Sequence, residues 1–379
     1  MSDPGKDLAK GRPDYILIIS FFILIILGLI VLSSASYFTA CQKFNDCYFY
    51  LKRQLMHGIL PGLFLFFFFS FFNYQKLRKW ALFCSILTIL LLASVFVPGV
   101  GFSKDEAQRW VKLGVVFQPS EFAKLAFIIY LTAWLAKHKD KIKSFKEVFI
   151  PFVIFLTIIS VLIILQPNLG TLVVVILTAL AIYFMAGAPF YQFGLLAAAS
   201  VPLIFFMIKI APYRLNRLIA FLHPETDPLG IGYHLNQAIL AVSSGRIFGR
   251  GLGYSFQKIF YLPEVVGDSI FAVMAEEFGF ILILAVVGLY FYLAYRIFRL
   301  AFSTDRVFGK LLAGGIGFWF IFQTIVNMGA MLGILPLTGI PLPLISYGGS
   351  SFVVFCAAFG ILVSISRGVD KNSTKFRIK

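Results

Sequence analysis

The chain has 379 residues, of which 60% are hydrophobic and only 13% are charged, and its formal net charge at pH 7 is +16. Soluble domains of this length are far more polar, so these values exclude a soluble globular protein. The positive charge does not indicate a nucleic-acid-binding protein, because the basic residues lie between apolar runs and form no single patch.

Apolar runs with almost no charge recur along the chain, and a helix of about 20 such residues can cross a membrane. We therefore predict an all-α, polytopic membrane protein of one domain, 1–379, with about ten transmembrane helices. A long outer segment, 211–268, separates the seventh predicted span from the eighth. The predicted spans are 15–36, 54–72, 80–98, 121–137, 148–166, 170–187, 192–210, 269–296, 311–333 and 346–367.

The distribution of basic residues predicts the orientation of these spans. With 1–14 in the cytoplasm, most of the 33 lysines and arginines fall on the cytoplasmic side, as the positive-inside rule requires. The tail 368–379 is then cytoplasmic as well, and the segment 211–268 lies outside. Cys41 and Cys47 share the first outer loop, where a disulfide can form in an oxidising compartment, but the sequence alone leaves their pairing open.

Two groups of ionisable residues stand at the outer ends of predicted spans. Glu121 and Lys124 are three residues apart on one helical face, and they form either a self-satisfied ion pair or part of a functional site. Asp268 ends the long outer segment and is either the N-cap of the eighth span or a functional carboxylate. Glu276 and Glu277 follow two turns later, where each should find a cationic partner or a cavity.

Arginines in the long outer segment are candidates for binding phosphate oxygens, because guanidinium matches phosphate geometry; lipid headgroups are the alternative partner. They are Arg214, Arg217, Arg246 and Arg250. The glycines of Gly249–Gly253 do not fit a dinucleotide-binding motif and predict a tight loop instead. Carboxylates, a lysine and arginines at the outer boundary suit a lipid-linked anionic substrate, on which either an enzyme or a transporter could act.

Short motifs along nearly the whole chain resemble those of the SEDS family (shape, elongation, division, sporulation), which contains FtsW and RodA. They include LSSASY from Leu32, YLKRQL from Tyr50, AQRW from Ala107, FQPSEFAKLA from Phe117, LQPNLGT from Leu165, DSIFAVMAEEFG from Asp268 and NMGAMLGILPLTGIPLPLISYGGSS from Asn327. Two of them, YLKRQL and QPSEFAKLA, are more similar to FtsW than to RodA.

This resemblance implies a peptidoglycan glycosyltransferase of the cytoplasmic (inner) membrane that polymerises lipid II, the undecaprenyl-pyrophosphate-linked disaccharide pentapeptide. It implies a class B penicillin-binding protein as transpeptidase partner, within the division or elongation machinery. A lipid II flippase is the alternative activity. Nucleic acid is not an expected partner, and a divalent cation, Mg²⁺ or Mn²⁺, could assist at the pyrophosphate.

The resemblance also assigns roles to individual residues. Asp268 matches the family's essential aspartate, and Arg109, Trp110, Glu121 and Lys124 match family motifs and are expected to bind substrate. We expect Asp268 to act as the catalytic base or, alternatively, to hold Mg²⁺ at the pyrophosphate. Independently of the resemblance, we expect Arg214, Arg246 and Ser346 to bind substrate as well. The sequence departs from the family pattern at three places: Val266-Gly267 replaces His-Thr or His-Ser before the aspartate, Glu106 replaces a glycine, and Asn168 replaces an aspartate.

Overall fold

The computed structural model describes residues 11–104, 107–210, 219–227 and 230–369. Within them the chain is helical almost throughout, which satisfies backbone hydrogen bonds inside each segment. The helices are α1 Tyr15–Phe44, α2 Phe49–Gln54, α3 Leu60–Phe71, α4 Gln75–Lys79, α5 Ala81–Ser94, α6 Pro119–Lys137, α7 Ile150–Ile164, α8 Leu169–Met185, α9 Phe190–Ile210, α10 Ile231–Ser244, α11 Gln257–Phe260, α12 Ile270–Phe302, α13 Val307–Met331 and α14 Gly349–Arg367.

Helices occupy every one of the ten predicted spans, which confirms the all-α, polytopic fold. Six helical runs are both long and apolar enough to cross a membrane: α1, Phe49–Phe71, Phe145–Ile164, α12, α13 and α14. The second and third of these runs contain a π-helical turn, at Leu55–Ile59 and Phe145–Phe149. Helices α5 and α8 are apolar but shorter.

A small antiparallel sheet between α5 and α6 was not predicted. Its strands are β1 Gly101–Lys104, β2 Ala107–Leu113 and β3 Val115–Phe117, paired in chain order. Gly114, with φ of +73°, reverses the chain between β2 and β3, a conformation that glycine adopts without strain. The strands are too short to give a clear alternating pattern in the sequence.

The core of the bundle is formed by α13 and α14, which are buried along most of their length. Helix α13 packs against α6, α8 and α12, while α14 packs against α3. The outer helices keep apolar side chains on their exposed faces, for example Ile19 and Ile26 on α1 and Phe64 on α3. Such faces are suited to contact with lipid acyl chains.

Contacts between distant segments mark one end of the bundle. Arg296 and Asp14 form an ion pair of 2.5 Å, and the Asp14 amide donates to Ser366 Oγ at 3.1 Å. The Tyr74 amide donates to Ser364 Oγ at the same end. Because successive spans alternate in direction, the sheet, α10, α11 and the connection from α13 to α14 lie at the opposite end, which we call the outer end. Cys41 and Cys47 are joined there in a disulfide.

Helix α12 is interrupted at Gly279, whose φ of +74° and ψ of 177° are not helical. The loop 245–251, which follows α10, packs against this break. The Phe280 amide donates to the Arg246 carbonyl at 2.9 Å, so the loop supplies a partner that the interrupted helix lacks.

Two glycines allow this close approach. A Cβ on Gly279 would lie 2.1 Å from the Gly249 nitrogen, and a Cβ on Gly249 would lie 2.2 Å from the Glu277 carbonyl oxygen. Neither position therefore tolerates a side chain without movement of the backbone. The prediction of a tight loop at Gly249–Gly253 agrees with this geometry.

Candidate functional site

Glu121 and Lys124 form a buried ion pair at the outer end of α6. Their Oε1 and Nζ atoms are 2.8 Å apart, and the two side chains are only 3% and 2% exposed. Glu121 Oε2 accepts no hydrogen bond from the part of the chain that the structure describes. Buried ions are stable only when they are paired and hydrogen-bonded, so each member of this pair depends on the other.

Lys124 also reaches across to α13. Its Nζ donates to Gln323 Oε1 at 2.9 Å and lies 5.3 Å from the centre of the Trp319 ring. Trp319 Nε1 donates to the same Gln323 oxygen at 2.9 Å. The Gln323 amide thus has its oxygen fixed toward α6, which directs its Nε2 group the other way.

The Nε2 group of Gln323 donates to the Pro341 carbonyl at 3.0 Å. Pro341 ends the stretch Thr338-Gly339-Ile340-Pro341, which we call the 338–341 segment and which lies in the connection between α13 and α14. Helix α8 packs closely on it, because a Cβ on Gly170 would lie 2.5 Å from Ile340. Two helices, α8 and α13, therefore meet this segment, and α6 is connected to it through Gln323.

Asp268 lies against the same segment. Its Oδ2 is 3.8 Å from the position of a Cβ on Gly339, and its main-chain carbonyl accepts from Asn327 Nδ2 at 2.9 Å. Asn327 also donates to the Ile340 carbonyl at 2.8 Å. The N-cap of α12 is Ser269 and not Asp268, so the capping role considered for this aspartate is wrong. The residue as a whole is partly exposed, while the Oδ1 atom of its carboxylate is buried.

Arg109, on β2, ties the small sheet to the start of α8. Its Nε donates to the Gln166 carbonyl at 3.2 Å, and its Nη2 donates to the Pro167 carbonyl. Its neighbour Trp110 is half-buried and lies opposite Phe102 in the sheet. These carbonyls lie just before α8, whose Gly170 packs against Ile340.

The remaining predicted binding residues are placed differently. Arg246 is exposed, and its main-chain carbonyl meets the break in α12. Ser346 is buried, and its Oγ accepts from the Leu342 amide at 2.8 Å, which shapes the connection that leads to α14. Arg214 and Arg217 lie outside the described residues, as does Glu106.

The structure thus places Asp268 against the 338–341 segment, connects the Glu121–Lys124 pair to it through Gln323, and joins Arg109 to the residues that precede α8. A family model described as "cell cycle protein", which covers FtsW, RodA and SpoVE, matches residues 14–371 of the chain. The chain belongs to the FtsW/RodA/SpoVE family. The resemblance seen in the sequence motifs is confirmed.

Curated members of the FtsW/RodA/SpoVE family match over their full length. Stage V sporulation protein E of Bacillus subtilis is 37% identical, over 94% of this chain and 98% of that protein. A probable peptidoglycan glycosyltransferase FtsW of Thioalkalivibrio sulfidiphilus is 39% identical, over 96% and 93%. These matches agree with the FtsW-like character of the motifs.

Solved structures of the family have the same fold. A chain from a structure titled "Structural coordination of polymerization and crosslinking by a peptidoglycan synthase complex" superposes with a TM-score of 0.77 at 29% identity, over 94% of this chain and 98% of that one. The crystal structure of Thermus thermophilus RodA gives a TM-score of 0.68 at 27% identity, over 94% and 97%.

Two glutamates, Glu276 and Glu277, follow Asp268 in this FtsW/RodA/SpoVE protein. Both carboxylates bind partners inside the protein. Glu276 accepts from Ser255 Oγ at 2.6 Å and lies 3.5 Å from Arg250 Nε. Glu277 accepts from Lys258 Nζ at 2.5 Å and from Ser34 Oγ at 2.8 Å. Both glutamates have the cationic partners that were expected, and they fix the outer segment to α12 and α1.

Three residues in the region of Asp268 were not identified as functional from the sequence. Gln323 and Asn327 are buried amides four residues apart on α13, and polar groups inside a span are the signal that could have indicated them. His234 on α10 lies 2.7 Å from Ser269 Oγ through its Nε2 atom, and burial lowers its pKa from 6.5 to about 4. Because Ser269 Oγ donates to the Pro263 carbonyl, a neutral His234 donates to Ser269.

Proposed function

We propose that the chain is a peptidoglycan glycosyltransferase that polymerises lipid II in cell division or cell-shape maintenance. The observation that carries this proposal is the position of Asp268, a partly exposed residue whose carboxylate lies beside the 338–341 segment at the outer end of the bundle. Family membership supports it, because the FtsW relatives are named as glycosyltransferases.

In the proposed reaction, the 4-hydroxyl of one sugar attacks the anomeric carbon of another sugar that is linked to lipid pyrophosphate. The bond from this oxygen to the anomeric carbon forms, the bond from that carbon to the phosphate oxygen breaks, and configuration is inverted. Asp268 accepts the hydroxyl proton as the attack proceeds, a contribution of about 10²–10⁴-fold for a well-placed general base.

The leaving pyrophosphate gains negative charge and needs fixed cations. Lys124 is one candidate, and because it binds Glu121 and Gln323 in this structure, substrate would have to compete for it. Arg214 and Arg246 remain further proposed ligands of the phosphates, with Trp110 and Ser346 as proposed contacts to the rest of the substrate. Arg109 supports the site through α8.

Mg²⁺ or Mn²⁺ could also neutralise the pyrophosphate. No group of three or more His, Cys, Asp or Glu side chains converges within the described part of the chain. Mg²⁺ is often held by one or two carboxylates together with substrate phosphates, and Asp268 fits that mode. A cation bound in this way would supply charge neutralisation, and Asp268 could then ligate it instead of taking the proton.

The proposed location is the inner membrane, with both termini in the cytoplasm and the outer end facing the periplasm or cell exterior. The six long apolar helices support a multi-pass membrane protein. The Cys41–Cys47 disulfide supports an oxidising environment at the outer end. The proposed partner is a class B penicillin-binding protein of the division or elongation machinery, since one matching chain comes from a peptidoglycan synthase complex.

The test is glycan synthesis from lipid II by the purified, full-length protein, with and without the cognate transpeptidase. We expect polymer from the wild type and a loss of about 100-fold or more in Asp268→Asn. Full activity of that variant would remove Asp268 from the chemistry. Transfer of lipid II across vesicles without polymer formation would favour the flippase function, and neither activity would favour a structural role in the division machinery.

A further inference from the structure

Two buried side-chain amides on α13, Gln323 and Asn327, make contacts that connect separate parts of the proposed site. Gln323 is fully buried and Asn327 is 1% exposed. Residues four apart on a helix share one face, so both amides point to the same side of α13. None of the expected roles included them.

The Gln323 amide is held in one orientation by its partners. Lys124 and Trp319 both donate to its oxygen at 2.9 Å, and its nitrogen donates to the Pro341 carbonyl at 3.0 Å. A flipped amide would place its N–H groups against two donors, so this arrangement is the one that satisfies the contacts. Gln323 therefore connects the ion pair of α6 to the 338–341 segment.

Asn327 makes the next connection, one turn further along. Its nitrogen donates to the Ile340 carbonyl at 2.8 Å and to the Asp268 carbonyl at 2.9 Å. Both N–H groups are thereby used on main-chain oxygens of two different loops. Asp268 precedes Ser269, the cap of α12, so this bond fixes where the proposed base emerges from the helix.

We propose that Gln323 and Asn327 are positioning residues that set the distance between the Glu121–Lys124 pair and Asp268, through the 338–341 segment. The inference rests on the proposed glycosyltransferase function. Neither amide need touch the substrate. Both are buried donors to loop carbonyls, and loops without such bonds are free to shift by the distances that degrade catalysis.

The matched control lies between the two amides on the same helix. Thr324 is buried, and its Oγ1 donates to the Phe320 carbonyl within α13, so Thr324→Val removes a buried hydroxyl without touching the loops. Gln323→Met and Asn327→Leu remove the amides at similar volume. Gln323→Glu keeps an oxygen that faces Lys124, replaces the donor to Pro341 by a second oxygen and adds a carboxylate charge.

The first measurement is hydrogen exchange of the backbone N–H groups of Thr338, Gly339 and Ile340 in the folded, full-length protein. We expect exchange to become at least tenfold faster in Gln323→Met, Gln323→Glu and Asn327→Leu, and to stay unchanged in Thr324→Val. Unchanged exchange in Gln323→Glu and Asn327→Leu would overturn the inference, whether or not the wild type polymerises lipid II.

The second measurement is kcat and KM for lipid II per folded molecule. We expect kcat to fall at least tenfold in the amide variants while KM changes less than threefold, and neither value to change in Thr324→Val. Wild-type kcat in Gln323→Glu and Asn327→Leu would overturn the catalytic role of the amides. Faster exchange in the variants with no polymer from the wild type would instead count against the proposed function alone.

Discussion

Replacement of Lys124 tests whether the buried ion pair takes part in the reaction or only stabilises the fold. Lys124→Met removes the 2.8 Å contact to Glu121, the bond to Gln323 and the contact with the Trp319 ring. It leaves a carboxylate that is only 3% exposed without a cation. Loss of one partner from a buried pair costs about 3–5 kcal/mol of unfolding free energy, and we expect that range here.

The double variant Glu121→Gln with Lys124→Met removes both charges and keeps the packing. Replacement of a whole buried pair by neutral residues is often close to neutral, so we expect a cost of about 1 kcal/mol, which is about 2–4 kcal/mol less than the cost of Lys124→Met alone. Stability would be measured by reversible unfolding in detergent micelles, and activity by polymer formation from lipid II.

Stability and polymerisation activity should respond differently to the double substitution. We expect its stability to recover while its polymerisation stays at least tenfold below wild type, because the cation proposed to meet the phosphates is gone. A single-variant cost below about 1 kcal/mol would contradict the structural reasoning. Recovery of activity along with stability would show that the pair only satisfies itself.

Three further outcomes follow from the structure. Gly279→Ala should cost at least about 3 kcal/mol in the same unfolding assay, because its φ of +74° is unfavourable and its Cβ would clash, whereas Gly288→Ala, with open space around it, should not destabilise. The low pKa of His234 in the folded protein means that the unfolded chain takes up the proton first as the pH drops. The unfolding free energy should therefore fall by about 3 kcal/mol in total between pH 6.5 and about 4. His234→Gln should remove this dependence in melting curves recorded at different pH values. Serine at Cys41 or Cys47 should lower the melting temperature under oxidising conditions, and dithiothreitol should lower it in the wild type but not in the variant.

The spans were predictable because lipid imposes a strong rule: a long apolar run must be a helix whose backbone bonds are internal. The rule says nothing about contacts between helices. Besides Trp319 on its own helix, Gln323 binds Lys124, 199 residues away, and the Pro341 carbonyl, and neither of these two pairings can be seen in the local sequence pattern. The break at Gly279 was hidden for the same reason, since a glycine inside an apolar run also occurs in unbroken helices.

The motif resemblance singled out Asp268 as the expected catalytic residue and left open what the two glutamates on α12 do. The structure adds the surroundings of all three carboxylates. Glu276 and Glu277 are 0% and 2% exposed and accept hydrogen bonds from serine, lysine and main-chain donors. These bonds compensate their charge and join the outer segment to the helix. Asp268 keeps an exposed part beside a loop.

A carboxylate at the boundary between water and lipid is costly to desolvate, and a chain can either neutralise it internally or use it. The glutamates show the first outcome, and the role proposed for Asp268 is the second. The bonds from α13 to the Asp268 carbonyl and to the Ile340 carbonyl then place the remaining carboxylate, which the loop alone could not do. Substitution of Glu277 should therefore reduce activity through the position of the outer segment, and retained wild-type kcat in a folded Glu277→Gln variant would contradict this division of roles.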